Sequence, residues 1–307
     1  MSVTSRARAI RRLLAATAAL AGLGASVPAC RPDLGPPPSL VTEARILAIR
    51  ADPPEATPGE VASYRALVVG PAGVVDAPGI AWGFCASPKP LTENDAVSKE
   101  CLRTVRPIED PVQAATPLDA CRLFGPDPPP GGLRPRDPDA TGGFFQPVRA
   151  TYAGLVAFRL QRVTCELPAA PIDVAIDFAR RRRPNENPTL APLTLAVGGA
   201  PARADAVPAG ATVALTTGWG EGDAERFVLY DQATRALVER EEVLSVSWFV
   251  TGGTLAEDVT GPSSSGTSTV TAWEPPRAAG RVWLWTVLRD DRGGVDFAAH
   301  ALDVAPP

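Results

Sequence analysis

In the segment LSVSWFV, Leu244, Val246, Trp248 and Val250 alternate with Ser245, Ser247 and, just beyond, Thr251. An extended chain turns successive side chains to opposite faces, so this period of two predicts a half-buried strand. RFVLYD and RALVERE, separated by a few polar residues, read as a hairpin. RVWLWTVLR and GVDFAAHALDV form another across DDRGG, where glycine supplies the positive φ of a tight turn. Earlier, RILAIRADPPEATPGEVASYRALVV (residues 45–69) gives a strand, a proline-rich turn and a strand. LTLAVGGAPARADAVPAGATVALTT (193–217) repeats that plan, and each copy is followed by a tryptophan strand, IAWGFC or LSVSWFV. A repeat of this size predicts two homologous domains. GLVAFRLQRVTCEL reads as a strand, and IDVAIDF, with Ile172, Val174, Ile176 and Phe178 alternating, is expected to be the strand that closes the first module.

Residues 86–150 break the pattern: they are crowded with Pro, Gly, Asp and Thr and show no sustained period. Ordering so long an irregular insert is entropically expensive without cross-links. Cys85, Cys101, Cys121 and Cys165 sit in or beside it, and four cysteines allow three pairings. Cys85 with Cys101 would close a local loop, and Cys121 with Cys165 would tie the insert to a strand; this is the expected pairing, although sequence selects none of the three.

The fifth cysteine, Cys30, stands apart. Arg6, Arg8, Arg11 and Arg12 form a positive segment, and Leu13 to Leu23 form an apolar run too short for the ~20 residues a membrane-spanning helix needs. That is the pattern of an export signal. Val27-Pro28-Ala29-Cys30 resembles the cleavage box of bacterial lipoproteins, and the resemblance implies an acylated Cys30 at the mature N-terminus. Pro28 departs from the usual small residue there, and ordinary signal peptidase would cut at the same place and leave a free thiol. Cysteine parity favours lipid, because exported proteins pair their cysteines and acylation leaves an even four. The sequence RPDLGPPPSL that follows is expected to be an extended, semi-stiff tether.

The stretch from Val246 to Phe297 resembles bacterial immunoglobulin-like domains related to polycystic kidney disease repeats. Trp248, Gly252-Gly253, Trp273 with Pro276, Ala279-Gly280 and an aspartate ahead of Gly293-Gly294 carry the likeness. The resemblance implies a β-sandwich and no particular ligand. The chain is therefore expected to be all-β, with two immunoglobulin-like β-sandwich domains in tandem, the first carrying a long disulfide-stapled irregular insert. Its expected parts are a signal peptide (1–29), lipidated Cys30 and tether (30–41), domain one (42–180, insert 86–150), a linker (181–191) and domain two (192–305). The composition, with 34 prolines and 27 glycines, agrees with short strands joined by turns.

Charge and side-chain chemistry narrow the function. Without the leader the chain has 26 basic against 34 acidic residues, about −8, which disfavours nucleic acid as a partner. His300 is the only histidine and no nucleotide or hydrolase motif occurs, so most triad and zinc chemistry loses its parts and no cofactor is expected. Asp290, Asp291 and Asp296 flank the last hairpin and are weak calcium candidates, since calcium needs about six ligands or more and only these three are visible, whereas turn formation explains the same residues. Arg180 to Arg183 read as a solvated linker, with an anionic lipid or polymer site as the rival. Trp283 and Trp285 share one strand face, and an aromatic pair is a large apolar area to leave wet; they are expected at an interface, either between the domains or to a partner.

The expected protein is a lipid-anchored component of the cell envelope, at the outer membrane, with a non-enzymatic binding or scaffolding role. Its expected partners are the membrane, through the N-terminal lipid, and an envelope protein or polysaccharide. The alternatives are a structural subunit of a larger envelope assembly, or a carbohydrate-active enzyme using carboxylates such as Glu93, Asp95, Glu109 or Asp110.

Overall fold

A strand with one apolar face needs a second sheet to cover it, and this chain meets that need twice. The computed structural model describes residues 35–90, 92–125, 143–167, 170–231, 233–262 and 266–306. The leader, Cys30 and the stretch 126–142 of the insert lie outside the described residues. From Pro38 onward the chain is one compact unit.

The first sandwich contains β1 (Arg45–Asp52), β2 (Glu55–Ala56), β3 (Val61–Gly70), β4 (Gly73–Val74), β5 (Ala81–Phe84), β6 (Arg106–Ile108), β7 (Ala114–Ala115), β8 (Gly143–Tyr152) and β9 (Leu155–Thr164). One sheet has the order β1-β3-β4, with β7 also on β3, and the other has the order β2-β9-β8-β5-β6. β2 runs parallel to β9, while the remaining pairs are antiparallel. Tyr64, Trp82, Phe84 and Val148 fill the space between the sheets.

The second sandwich contains β10 (Thr194–Val197), β11 (Ala200–Ala202), β12 (Val207–Pro208), β13 (Val213–Gly218), β14 (Arg226–Asp231), β15 (Ala236–Glu241), β16 (Ser245–Val250), β17 (Thr254–Leu255), β18 (Val259–Thr260), β19 (Ser268–Glu274), β20 (Gly280–Arg289) and β21 (Val295–Ala305). Its sheets have the orders β11-β10-β13-β19-β17 and β12-β21-β20-β16-β18, with β12 parallel to β21; β14 and β15 form a separate hairpin. In each sandwich the first, second and fifth main strands share one sheet and the third, sixth and seventh share the other. A short strand split from the first joins the last in parallel. That connectivity is the immunoglobulin plan, and the two halves are immunoglobulin-like β-sandwiches in tandem.

Trp248 and Trp273 are fully buried at the second core, each with its indole N–H satisfied, by Thr260 Oγ1 at 2.8 Å and Gly252 O at 3.1 Å. Gly253 makes room for Trp273: its φ is +83°, and a Cβ there would lie 2.5 Å from the indole nitrogen.

The structure corrects three expectations. IDVAIDF is not a strand but the start of a helix, Ile172–Arg181. Val174, Ala175 and Phe178 form its inward stripe, while Ile172 and Ile176 are exposed, so the alternation was incidental. Asp173 in its first turn and Arg180 and Arg181 in its last suit the helix dipole. Secondly, the expected insert 86–150 is not irregular throughout, because it holds β6, β7 and, from Gly143, β8. Phe144, Gln146, Val148 and Ala150 keep the inward alternation, but a buried glutamine and Pro147 disguise it. Gln146 is satisfied there by donating to Cys85 O at 2.6 Å. Thirdly, the end of the expected tether is not free. Val41 N donates to Val250 O, Val250 N donates to Ser39 O, and Val41 is 1% exposed, so residues 39–41 belong to the edge of β16.

Between β5 and β8 lie α1 (Glu100–Arg103) and α2 (Ala120–Phe124), and the Ile172–Arg181 helix is α3. Cys85 is bonded to Cys101 on α1, with Cα atoms 5.2 Å apart, and Cys121 on α2 to Cys165 beyond β9, at 5.7 Å. The pairs span 16 and 44 residues. Loop-closure entropy predicts that replacing Cys85 and Cys101 by serine lowers stability by about 3 kcal/mol, and replacing Cys121 and Cys165 by about 1 kcal/mol more. Urea denaturation of the two double variants checks the order.

Candidate functional site

The strand β20 has two apolar faces. Val282, Leu284 and Leu288 enter the second core, while Trp283 and Trp285 face the first sandwich and pack with Ala48, Leu67 and Val69. The two indoles stack at 6.5 Å between centroids, tilted by 16°, and Trp285 is fully buried. Gly73 lies flat against Trp283: its φ is +121°, and a Cβ would come within 2.6 Å of the ring. The aromatic pair therefore joins the sandwiches to each other.

Beside this apolar contact runs a charged seam that sequence reading missed. The DDRGG turn between β20 and β21 points Arg292 into the base of the first sandwich, where only 5% of the residue is exposed. Its guanidinium donates to Glu55 Oε2 at 2.9 Å, Glu242 Oε1 at 3.0 Å and Arg183 O at 2.8 Å, and it lies over the ring of Phe227 at 4.8 Å. Glu55, on β2, also accepts from Arg162 on the neighbouring β9 (3.2 Å), from Thr164 Oγ1 and from the backbone N–H of Asn185 (3.0 Å). Asn187 closes the seam, donating to Ala51 O in the first sandwich and accepting from Val295 N in the second.

The expected solvated linker is thus part of the seam. Asn185 is 1% exposed, Arg182 lies 3.7 Å from Glu55, and Arg181 pairs with Glu239 at 2.8 Å; Arg180 and Arg183 keep exposed side chains. The linker is fixed because its asparagines satisfy buried groups on both sides.

The calcium candidates have other partners. Asp290 accepts from Arg292 N and Gly294 N and from the Asn185 amide, Asp291 accepts from Val243 N, and Asp296 pairs with Arg50 at 2.8 Å and accepts from Leu190 N. Among the described residues no cluster suited to a metal ion occurs. His300, on β21, is half-buried with its Nε2 3.4 Å from Thr286 Oγ1, and burial lowers its pKa. Glu93 accepts from Lys99 N and Asp110 from Val112 N, local uses on the surface, while Asp95 and Glu109 are exposed.

Electrostatics divide the seam's carboxylates. Burial alone would raise Glu55, but the Arg162 and Arg292 guanidinium groups, with the Thr164 and Asn185 hydrogen bonds, hold it below the usual range. Glu242 is pushed up to about 8 by burial and by the nearby Asp290, against the pull of Arg292. Glu225 and Asp290 are also raised by burial.

A cleft of about 380 Å³ opens alongside the seam, between Ile46–Ile49 of β1 and Ala157–Leu160 of β9. Arg159, Arg289, Gly293 and Val295 complete its lining. None of the four carboxylates considered for catalysis lines it.

No protein family and no curated protein matches the chain. Among solved structures it is similar to the D00-D0 domain of Intimin, 10% identical over 86% of this chain and 98% of that one with a TM-score of 0.26. It is also similar to the D0-D1 domain of Intimin, 12% identical over 84% and 98% with a TM-score of 0.24. Scores this low carry no argument about function, and the immunoglobulin-like fold rests on the strand connectivity.

Removing one partner of a buried ion pair strands the other, so Arg292→Met and Glu55→Gln are each expected to cost about 3–5 kcal/mol. The double variant should lose less than the sum, because the two share the interaction; denaturant midpoints of the three variants measure it. The Glu242 carboxyl keeps in the folded chain a proton that the unfolded chain, near 4.5, has released. Its stabilisation is complete below pH 4.5 and is lost as pH rises through about 8. Thermal midpoints should fall over that window, and Glu242→Gln should flatten the fall.

Proposed function

We propose that this chain is a lipid-anchored protein of the cell envelope, sited at the outer membrane, with a non-enzymatic binding or scaffolding role. The observation that carries the reading is cysteine use: Cys85, Cys101, Cys121 and Cys165 are consumed in pairs, which leaves Cys30 of the lipoprotein-like box as the odd one. Acyl chains contribute about 0.8 kcal/mol per buried methylene, so more than one on a residue holds a protein firmly at a bilayer. The scaffolding part is supported by the seam, which joins the two sandwiches into one body. Its partner class is an envelope protein or polysaccharide.

Labelling cells with an acyl-chain probe tests the anchor. Wild type is expected to take the label and sediment with membranes, and Cys30→Ala to lose both; persistence of either in the variant overturns the anchor.

A further inference from the structure

Arg159 is 6% exposed, yet its guanidinium meets only neutral acceptors: Gln161 Oε1, Ile49 O and Gly293 O. Arg289 is half-buried and donates to Ser247 Oγ and Leu47 O. Neither has a carboxylate within ion-pairing distance among the described residues. By contrast Arg50, Arg162 and Arg292 nearby are all paired with acids. A buried cation without a counterion is costly to keep, by several kcal/mol after relaxation. Burial presses the Arg159 guanidinium down to about 10, with Arg289 and Arg50 adding repulsion. Asp290 is within electrostatic reach, but its oxygens are engaged by the turn and Asn185, and burial raises its own pKa.

Both arginines line the cleft between β1 and β9, whose remaining walls include Ile46, Ala48, Phe158 and Leu160. The lining therefore combines uncompensated positive charge with apolar surface, in a volume at the lower end of small-molecule pockets. Guanidinium groups prefer planar oxyanions, which they hold through parallel hydrogen bonds.

We propose that this cleft is a ligand site for a small organic oxyanion, a carboxylate carried on a short apolar body, with Arg159 and Arg289 receiving the charged end. The site is independent of the acyl anchor, and its failure would leave the anchor untouched. It would give the binding role a definite ligand class.

Isothermal titration of the purified full chain with hexanoate, 1-hexanol and inorganic phosphate provides the test. Saturable one-to-one binding of hexanoate is expected, with at least tenfold weaker binding of the uncharged alcohol and of phosphate. Arg289→Gln should weaken hexanoate at least tenfold, and Arg289→Lys should do so less. Equal binding of hexanoate and hexanol, or no saturable binding of hexanoate, overturns the site; phosphate binding more tightly than hexanoate overturns the ligand class. The comparison among the three probes is made on the wild-type chain and holds even if a variant fails to fold.

Discussion

The ion pair between Glu55 and Arg292 sets the geometry on which the rest of this molecule depends. Tandem sandwiches joined by a short linker ordinarily move against each other, because interfaces of that kind are small and polar. Here a charge from the hairpin turn of one sandwich sits among carboxylates contributed by the other sandwich and by the β14–β15 hairpin. Once desolvated, that charge has nowhere else to be satisfied. The stacked tryptophans supply apolar area next to it, but area alone tolerates sliding, whereas Arg292 fits one register. Apolar contact holds the halves together, and the buried pair fixes how they sit.

The second sandwich was legible in the sequence because its core obeys a period of two, plainest in β16. The tryptophans were legible too, since a strand with bulky residues on both faces must be covered twice. IDVAIDF misled because alternation over a few residues also fits a helix, and only the absence of a partner strand decides between them. The seam was not legible for a different reason. Arg292 and Glu55 are 237 residues apart, and a charged residue in a DDRGG turn or a proline-rich bend looks like ordinary surface. Only the fold brings them together; a sign that could have been sought is the density of Asn and Arg in ARRRRPNENP, more polar hydrogen-bonding capacity than a bare connector needs.

The same arginine-rich composition also answers a problem inherent in open sandwiches. β1 lies at the edge of its sheet, and β2 covers β9 only near Arg162 and Val163, so backbone at Ile46–Ile49 and Ala157–Leu160 is left beside a gap. Exposed strand edges invite pairing with other chains. Arg289 and Arg159 occupy the carbonyls of Leu47 and Ile49, which blunts the β1 edge while leaving their charge at the gap. Edge protection and anion reception are two results of one arrangement.

The seating of Ser39–Val41 against β16 has a mechanical meaning. Although the first sandwich comes first in the chain, the strand leading into it is fastened to the second by the two backbone hydrogen bonds at Val250 and by the buried Val41. A pull on the N-terminus would load that short parallel ladder in shear before it reached β1. The disulfide-stapled sandwich would then hang outside the line of force, free to engage a partner while the second sandwich carried the tension.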